Sequence, residues 1–156
     1  MLHSITAARH QAKFSRNACA WLMVDGVGVE QWVAHHLNYE LGAMLGLSLI
    51  WLLDEEEEAL AKRRFALGED DTSTLVPLLV CGDDMDFDCT VLMVEQVVAN
   101  GVVTWARFGL SVSGGLEVGV QTRWMAGCKP VSFAVLDFQR ALHDFEAILA
   151  GQTPGT

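Results

Sequence analysis

Hydrophobic and polar positions alternate most regularly between Asp84 and Met93, where every second residue is apolar. This period of two is typical of a β-strand that has one face on a core and the other face in solvent. We therefore expect a strand here whose outer face carries three carboxylates in a row. The apolar positions are Met85, Phe87, Cys89, Val91 and Met93, and the carboxylates are Asp84, Asp86 and Asp88.

The dipeptide Asn100-Gly101 is the strongest hairpin signal in the chain, because both residues tolerate the positive φ angles of a two-residue turn. We expect it to join the strand before it to a second strand that extends past Phe108. A third strand is predicted over residues 116–124, where apolar and polar residues alternate again. The turn predicts a register that pairs Ala99 with Val102, Val97 with Thr104, Gln96 with Trp105, Glu95 with Ala106 and Met93 with Phe108.

Three segments have the apolar spacing or charge pattern of helices. Residues 29–37 place apolar side chains on one face. Residues 54–67 have acidic residues at the start and basic residues at the end, an order that complements the helix dipole. Residues from about 137 to 150 carry a single apolar stripe.

Shorter apolar runs predict further strands. Residues 18–24 indicate a buried strand that ends at the turn dipeptide Asp25-Gly26. In residues 74–81, Pro77 favours either an edge strand or a strand that begins near Leu78. The run Leu41–Leu53 is compatible with a buried helix or a buried strand.

Together these elements predict an α+β fold in one domain, residues 1–156. We expect a mostly antiparallel β-sheet, with its hairpin at Asn100-Gly101, packed by a C-terminal helix and by one or two further helices. Hydrophobic residues make up 51% of the chain, which is enough to form a core.

Negative charge is concentrated between Asp54 and Asp88. This stretch has twelve acidic and three basic residues, a net charge of −9 out of −10 for the whole chain. The electrostatic field of this negative charge favours a cationic partner. It disfavours nucleic acid, because it would repel the phosphates. The residues that we expect to contact a partner are Asp83, Asp84, Asp86 and Asp88, with Glu55, Glu56, Glu57, Glu58, Asp70 and Asp71 nearby or at the rim.

Metal binding, cofactor binding and membrane insertion are not expected. Asp84, Asp86, Asp88 and Glu95 have the spacing of a calcium-binding loop, but Cys89 occupies the position that requires glycine, so we favour an acidic strand face. The four cysteines contain no C-x-x-C pair and are expected to be free thiols. The run Leu41–Leu53, at 13 residues, is shorter than the ~20 that span a membrane. No apolar stretch of signal-peptide length lies near Met1, so we expect a cytoplasmic protein.

Several stretches resemble bacterial immunity proteins, the cytoplasmic antidotes of polymorphic toxin and contact-dependent growth inhibition systems. The resemblance implies that the protein binds and neutralises one cognate toxin, and many toxins of this kind are basic nucleases. The stretches are Cys19–Gly26 (CAWLMVDG), Val76–Thr90 (VPLLVCGDDMDFDCT), Trp105–Leu110 (WARFGL) and Arg123-Trp124.

The sequence thus predicts a non-enzymatic protein that binds a basic toxin domain. One alternative is a regulatory subunit whose acidic face contacts another basic protein. A second is a small enzyme or ligand-binding domain with a site between sheet and helix, although no catalytic motif is present. A deep pocket lined by His35 or His36, a cysteine and a carboxylate would favour the enzyme, whereas a filled core would count against it.

Overall fold

The computed structural model describes residues 1–11, 18–42, 44, 46–82, 84–88 and 90–151 and shows an α+β fold, as predicted. In this described part, two antiparallel sheets contain three and six strands, and three α-helices pack against them. The strands are β1 Ile5–His10, β2 Cys19–Val24, β3 Val27–Gly28, β4 Gly46–Leu47, β5 Thr72–Val80, β6 Leu92–Ala99, β7 Val102–Ser111, β8 Thr122–Trp124 and β9 Val131–Ala134. The helices are α1 Val29–Leu37, α2 Glu55–Phe65 and α3 Val135–Leu149, and a 3₁₀ turn covers Gly115–Glu117.

The larger sheet has the strand order β4-β5-β6-β7-β8, and β9 pairs with β7 further along the edge that β8 uses. The smaller sheet has the order β1-β2-β3. His3 connects the two sheets, because its N–H donates to the carbonyl of Ser132 just before Phe133, its bridge partner on β9. Strand β1 and the short strand β9 were not predicted from the sequence.

The predicted hairpin is confirmed, with φ of 54° at Asn100 and 76° at Gly101. Its register agrees with the prediction from the turn up to Gln96, which faces Trp105. A bulge then shifts the pairing by one residue, so that Glu95 faces Arg107 instead of Ala106 and Met93 faces Gly109 instead of Phe108. A bulge adds one unpaired residue to a strand, and the alternation of side chains does not reveal it.

Large aromatic side chains fill the main core between the larger sheet, the smaller sheet and α3. Two buried indoles each have a polar partner, as buried Trp N–H groups require. Trp21 Nε1 donates to Glu30 Oε1 at 3.0 Å, and Trp105 Nε1 donates to Gln96 Oε1 at 3.1 Å. Among the described residues, the fully buried aromatic side chains of this core are Trp21, Trp105, Phe65, Phe108, Phe133, Phe138 and Phe145.

Helix α2 packs beside β5, and within the described residues β4 pairs with β5 only at Leu79 and Val80. Arg64 Nη1 donates to the carbonyl of Leu75 at 2.9 Å and so satisfies a backbone acceptor of that edge. Pro77 lies inside β5, which begins at Thr72, so the alternative of a strand that starts near Leu78 is wrong. The register with β6 is irregular beside Pro77, and a proline fits within a strand at such a bulge. Covering an edge in this way prevents it from pairing with another chain.

The strand predicted from Asp84 to Met93 is wrong for most of its length. Residues 84–88 form turns, Met85 has φ of 53°, and strand β6 begins only at Leu92. The third strand predicted over 116–124 is also mostly wrong, because a 3₁₀ turn occupies its first part and β8 spans only Thr122–Trp124. A small second core takes Phe87, Val91 and Met93 from the first segment and Val118 from the second. The chain bends around Phe87 and Val118 instead of continuing as a strand.

The run Leu41–Leu53 is neither a helix nor a single strand. Within it the structure describes the two-residue strand β4 followed by tight turns at residues 48–50, while residues 43 and 45 lie outside the described part. The predicted helices at 29–37, 54–67 and 137–150 are confirmed as α1, α2 and α3. None of the described helices combines the length and the apolar character needed to cross a membrane.

Candidate partner-binding surface

Helix α2 begins at an N-cap that its sequence encodes locally. The side chain of Asp54 accepts hydrogen bonds from the backbone N–H groups of Glu56 and Glu57, at 2.9 and 3.0 Å. Four glutamates occupy the first turn, where the positive end of the helix dipole stabilises them. Lys62, Arg63 and Arg64 lie in the last turn, so the charges of α2 are separated along its axis.

The 84–88 loop packs against this helix start. Leu53 N–H donates to the carbonyl of Met85 at 3.1 Å, and Phe87 N–H donates to Oε1 of Glu57 at 3.3 Å. Phe87 is only 1% exposed and packs in the second core with Leu60 of α2. The loop is therefore fastened by one apolar anchor, Phe87, and by two hydrogen bonds that its backbone makes with Leu53 and Glu57.

Glu57 shows that the carboxylates of the α2 start and of the 84–88 loop lie close together. Glu57 is 6% exposed, and burial raises the pKa of its carboxyl. The negative charges of Asp54, Asp86 and Asp88 raise this pKa further. The hydrogen bond from Phe87 N–H opposes this rise. The helix start and the loop thus form one surface, which we call the acidic surface: Asp54, Glu55, Glu56, Glu58, Asp84, Asp86 and Asp88.

Not every predicted contact residue belongs to the acidic surface. Glu57 is buried beneath it and acts as a support, and Asp83 lies outside the described residues. Asp70 is at the other end of β6, where its Oδ1 accepts from Asn100 N–H at 2.9 Å, and Asp71 N–H donates to Val98 O. The two groups lie toward opposite ends of β6, a strand of eight residues that is roughly 27 Å long at about 3.4 Å per residue. The structure therefore divides the predicted surface into two.

An open cleft of about 640 Å³ on the outer face of the larger sheet was not predicted. Arg107 lies over the ring of Trp124 at 3.9 Å, and its Nε donates to Glu95 Oε1 at 3.1 Å. The bulge before Gln96 brings Arg107 opposite Glu95, so the predicted register could not reveal this pair. The cleft is lined by Ser73, Leu75, Glu95, Arg107, Val112, Gly119, Val120, Gln121, Thr122, Arg123 and Trp124.

The residues considered for metal binding and catalysis lie in separate places. Glu95 accepts from Arg107 and Ser73, which occupies both oxygens of the carboxylate that would close a calcium loop. Among the described residues, no group of three or more His, Cys, Asp or Glu side chains is arranged to hold a metal ion.

The two histidines named for an enzyme site do not converge. His35 is exposed, whereas His36 stacks on Trp32 and bonds to the carbonyl of Lys129. Burial, and then the charge of Glu30, raise the pKa of the Cys19 thiol, which disfavours the reactive thiolate.

Comparisons with known proteins leave the family open. The chain matches no known protein family, and it shows no significant similarity to any curated protein or solved structure.

Proposed function

We propose that this chain is a non-enzymatic immunity protein that binds and neutralises a basic, nuclease-type bacterial toxin through its acidic surface. The observation that carries the proposal is the attachment of the 84–88 loop to the start of α2. Through Glu57, Phe87 and Leu53, two acidic segments that are about 30 residues apart in the chain become one surface.

The attachment of the 84–88 loop to α2 suits electrostatic recognition, because it holds the carboxylates of both segments together. The active site of a nuclease must be electropositive because it holds phosphates, and fixed carboxylates can occupy it in place of nucleic acid. Complementary charge also accelerates encounter, up to about 10⁸–10⁹ M⁻¹s⁻¹ at low salt. Rapid capture matters for an antidote, since a nuclease damages the cell until it is bound.

The test uses the protein encoded by the gene directly upstream, where an immunity gene's toxin is expected, carrying an inactivated active site. Association rates are measured against salt for wild type and for Asp84→Lys and Asp86→Lys. We expect each variant to associate about tenfold more slowly at low salt and with a weaker dependence on salt. Glu40→Lys is the matched control, because Glu40 is exposed, lies outside residues 54–88 and changes the charge by the same amount.

A growth assay with the active toxin supplies the functional readout. Wild-type protein should rescue cells, and Asp84→Lys/Asp86→Lys should rescue them less well at equal expression. If Asp84→Lys and Asp86→Lys associated as fast as wild type, the acidic surface would not be the site that binds the toxin. Binding without rescue would favour the regulatory subunit over the immunity protein.

A further inference from the structure

The connection between β7 and β8, residues 112–121, carries an unusual share of exposed apolar side chains. Val112, Leu116 and Val120 are 57%, 51% and 65% exposed. They are three of ten large exposed hydrophobic residues in the described part of the chain, yet they fall within nine residues. Apolar side chains that cluster on a surface and are rimmed by polar ones are typical of protein–protein contact sites.

The connection is held firmly in its shape. Val112 N–H donates to the carbonyl of Gln121 at 2.8 Å, and Gly119 N–H donates to Ser111 Oγ at 2.9 Å. Val118 is fully buried, and its carbonyl accepts from Arg64 Nη1 of α2 at 3.3 Å. The exposed side chains therefore project from an ordered platform, so that a partner would not have to order the segment on binding.

This platform continues the acidic surface. A Cβ atom at Gly114 would lie only 2.6 Å from Oδ1 of Asp88, so the connection directly contacts the 84–88 loop. On its other side, Val112 and Val120 line the cleft that also contains Arg107, Arg123 and Trp124. The connection therefore contacts the acidic 84–88 loop on one side and lines the arginine-containing cleft on the other.

We infer that the connection 112–121 and the adjacent cleft are the second half of the toxin-binding interface, and that Leu116 and Val120 determine how long the complex lasts. The inference rests on the proposed function. In this inference the acidic surface sets the rate of association. The apolar platform, by which we mean the connection 112–121 with its exposed Val112, Leu116 and Val120, slows dissociation. The partner it requires has a basic site for the carboxylates, an apolar surface beside that site and a carboxylate for Arg123.

Charge decides between such a partner and a second copy of the chain. The net charge of −10 opposes self-association, whereas a basic partner gains from it. The composition of the cleft also fits a contact with another protein. Trp and Arg are enriched among the residues that contribute most to binding, and Arg107 is already held in place by Trp124 and Glu95.

The experiment measures association and dissociation rates of Leu116→Ser and Val120→Ser with the same inactivated toxin. Both side chains are already exposed, so the substitutions leave the core intact. We expect dissociation to become about tenfold faster while the association rate changes less than about twofold. Leu136→Ser is the matched control, since Leu136 is 76% exposed on α3 and should bind like wild type.

The outcomes separate this inference from the proposed function. If Asp84→Lys slows association but Leu116→Ser and Val120→Ser dissociate like wild type, the inference is wrong and the proposed function stands. If the upstream protein does not bind wild type, both fail. Analytical ultracentrifugation supplies one more outcome: a wild-type dimer that Leu116→Ser dissociates would assign the platform to self-association and overturn the inference.

Discussion

The backbone N–H of Phe87 donates a hydrogen bond to Oε1 of Glu57 across 3.3 Å, and so joins the 84–88 loop to helix α2. Glu57 is buried, and burial raises the pKa of the carboxyl that accepts this bond, with smaller increases from the charges of Asp54, Asp86 and Asp88. A neutral acceptor would avoid the cost of burying charge. The position of the acidic surface therefore depends on a group whose protonation changes with pH.

Glu57→Gln should alter the pH dependence of stability. The pKa of Glu57 in the folded protein lies above its ordinary value of 4.5, so the folded state holds this proton more tightly than the unfolded state. The contribution of Glu57 is then fully present below about pH 4.5 and is lost as pH rises through the higher folded value. Urea unfolding between pH 4.5 and 7 should show wild type losing stability relative to Glu57→Gln as pH rises.

A Glu57→Ala variant tests the hydrogen bond itself. Gln retains an oxygen that can accept from Phe87 N–H, whereas Ala leaves that buried donor unpaired, at a cost of about 1–3 kcal/mol. Hydrogen exchange at Phe87 should accelerate in Glu57→Ala and stay slow in Glu57→Gln. A constant difference in stability between wild type and Glu57→Gln across the pH range would contradict the first expectation.

Asp54→Ala should destabilise the protein by about 1 kcal/mol, because it removes the acceptor for the N–H groups of Glu56 and Glu57. Asp54→Asn keeps an oxygen in the same position without the charge and should cost only a few tenths of a kcal/mol. Urea denaturation of the pair separates capping from charge. Equal losses for Ala and Asn would mean that the negative charge, and not the cap, stabilises α2.

Gln96→Leu should destabilise the core by about 2–4 kcal/mol. Gln96 accepts from Trp105 Nε1 and donates to the carbonyl of Phe65, each at 3.1 Å, so Leu leaves two buried groups unpaired. Trp105→Phe removes one of those groups. In a double-mutant cycle the combined variant should therefore lose less than the sum of the single losses. Additive losses would show that the indole finds another partner.

Gly109→Ala should loosen the pairing of β8 with β7. A Cβ at this position would lie 2.6 Å from the carbonyl oxygen of Arg123 and 2.9 Å from Cα of Trp124, and both are backbone atoms. Overpacking of this kind costs about 1–3 kcal/mol. Hydrogen exchange should increase at Leu110 and Arg123 and remain slow at the hairpin pair Val97 and Thr104. If the amide of Arg123 exchanged as slowly in Gly109→Ala as in wild type, the added methyl group would be accommodated without loss of the β7–β8 hydrogen bonds.

Patterns that depend on near neighbours were sound guides to this fold. Asn100-Gly101 predicted the hairpin because positive φ is a property of those residues, and the acidic start of α2 predicted its N-terminus because the helix dipole is local. Strict alternation from Asp84 to Met93 was misleading. The same spacing that would place Phe87 on a strand face instead lets a turn insert it between α2 and the sheet.

The candidate site also has a part that the sequence predicted and a part that it did not. The sequence identified most of the carboxylates that the structure assembles at the start of α2, since their density is visible along the chain. It also grouped Asp70 and Asp71 with them, although these residues lie beside Asn100 at the far end of β6. The cleft escaped notice because a bulge of one residue decides that Arg107 meets Glu95.

The sequence by itself thus determined the helices, the hairpin, the fold class and the excess of negative charge, because propensity, capping and turn geometry act over a few residues. Only the tertiary structure decided which charges share a surface and that an apolar platform and an arginine cleft adjoin it. Those relationships depend on contacts between residues that are distant in the chain, such as Glu57 with Phe87, and no local pattern encodes them.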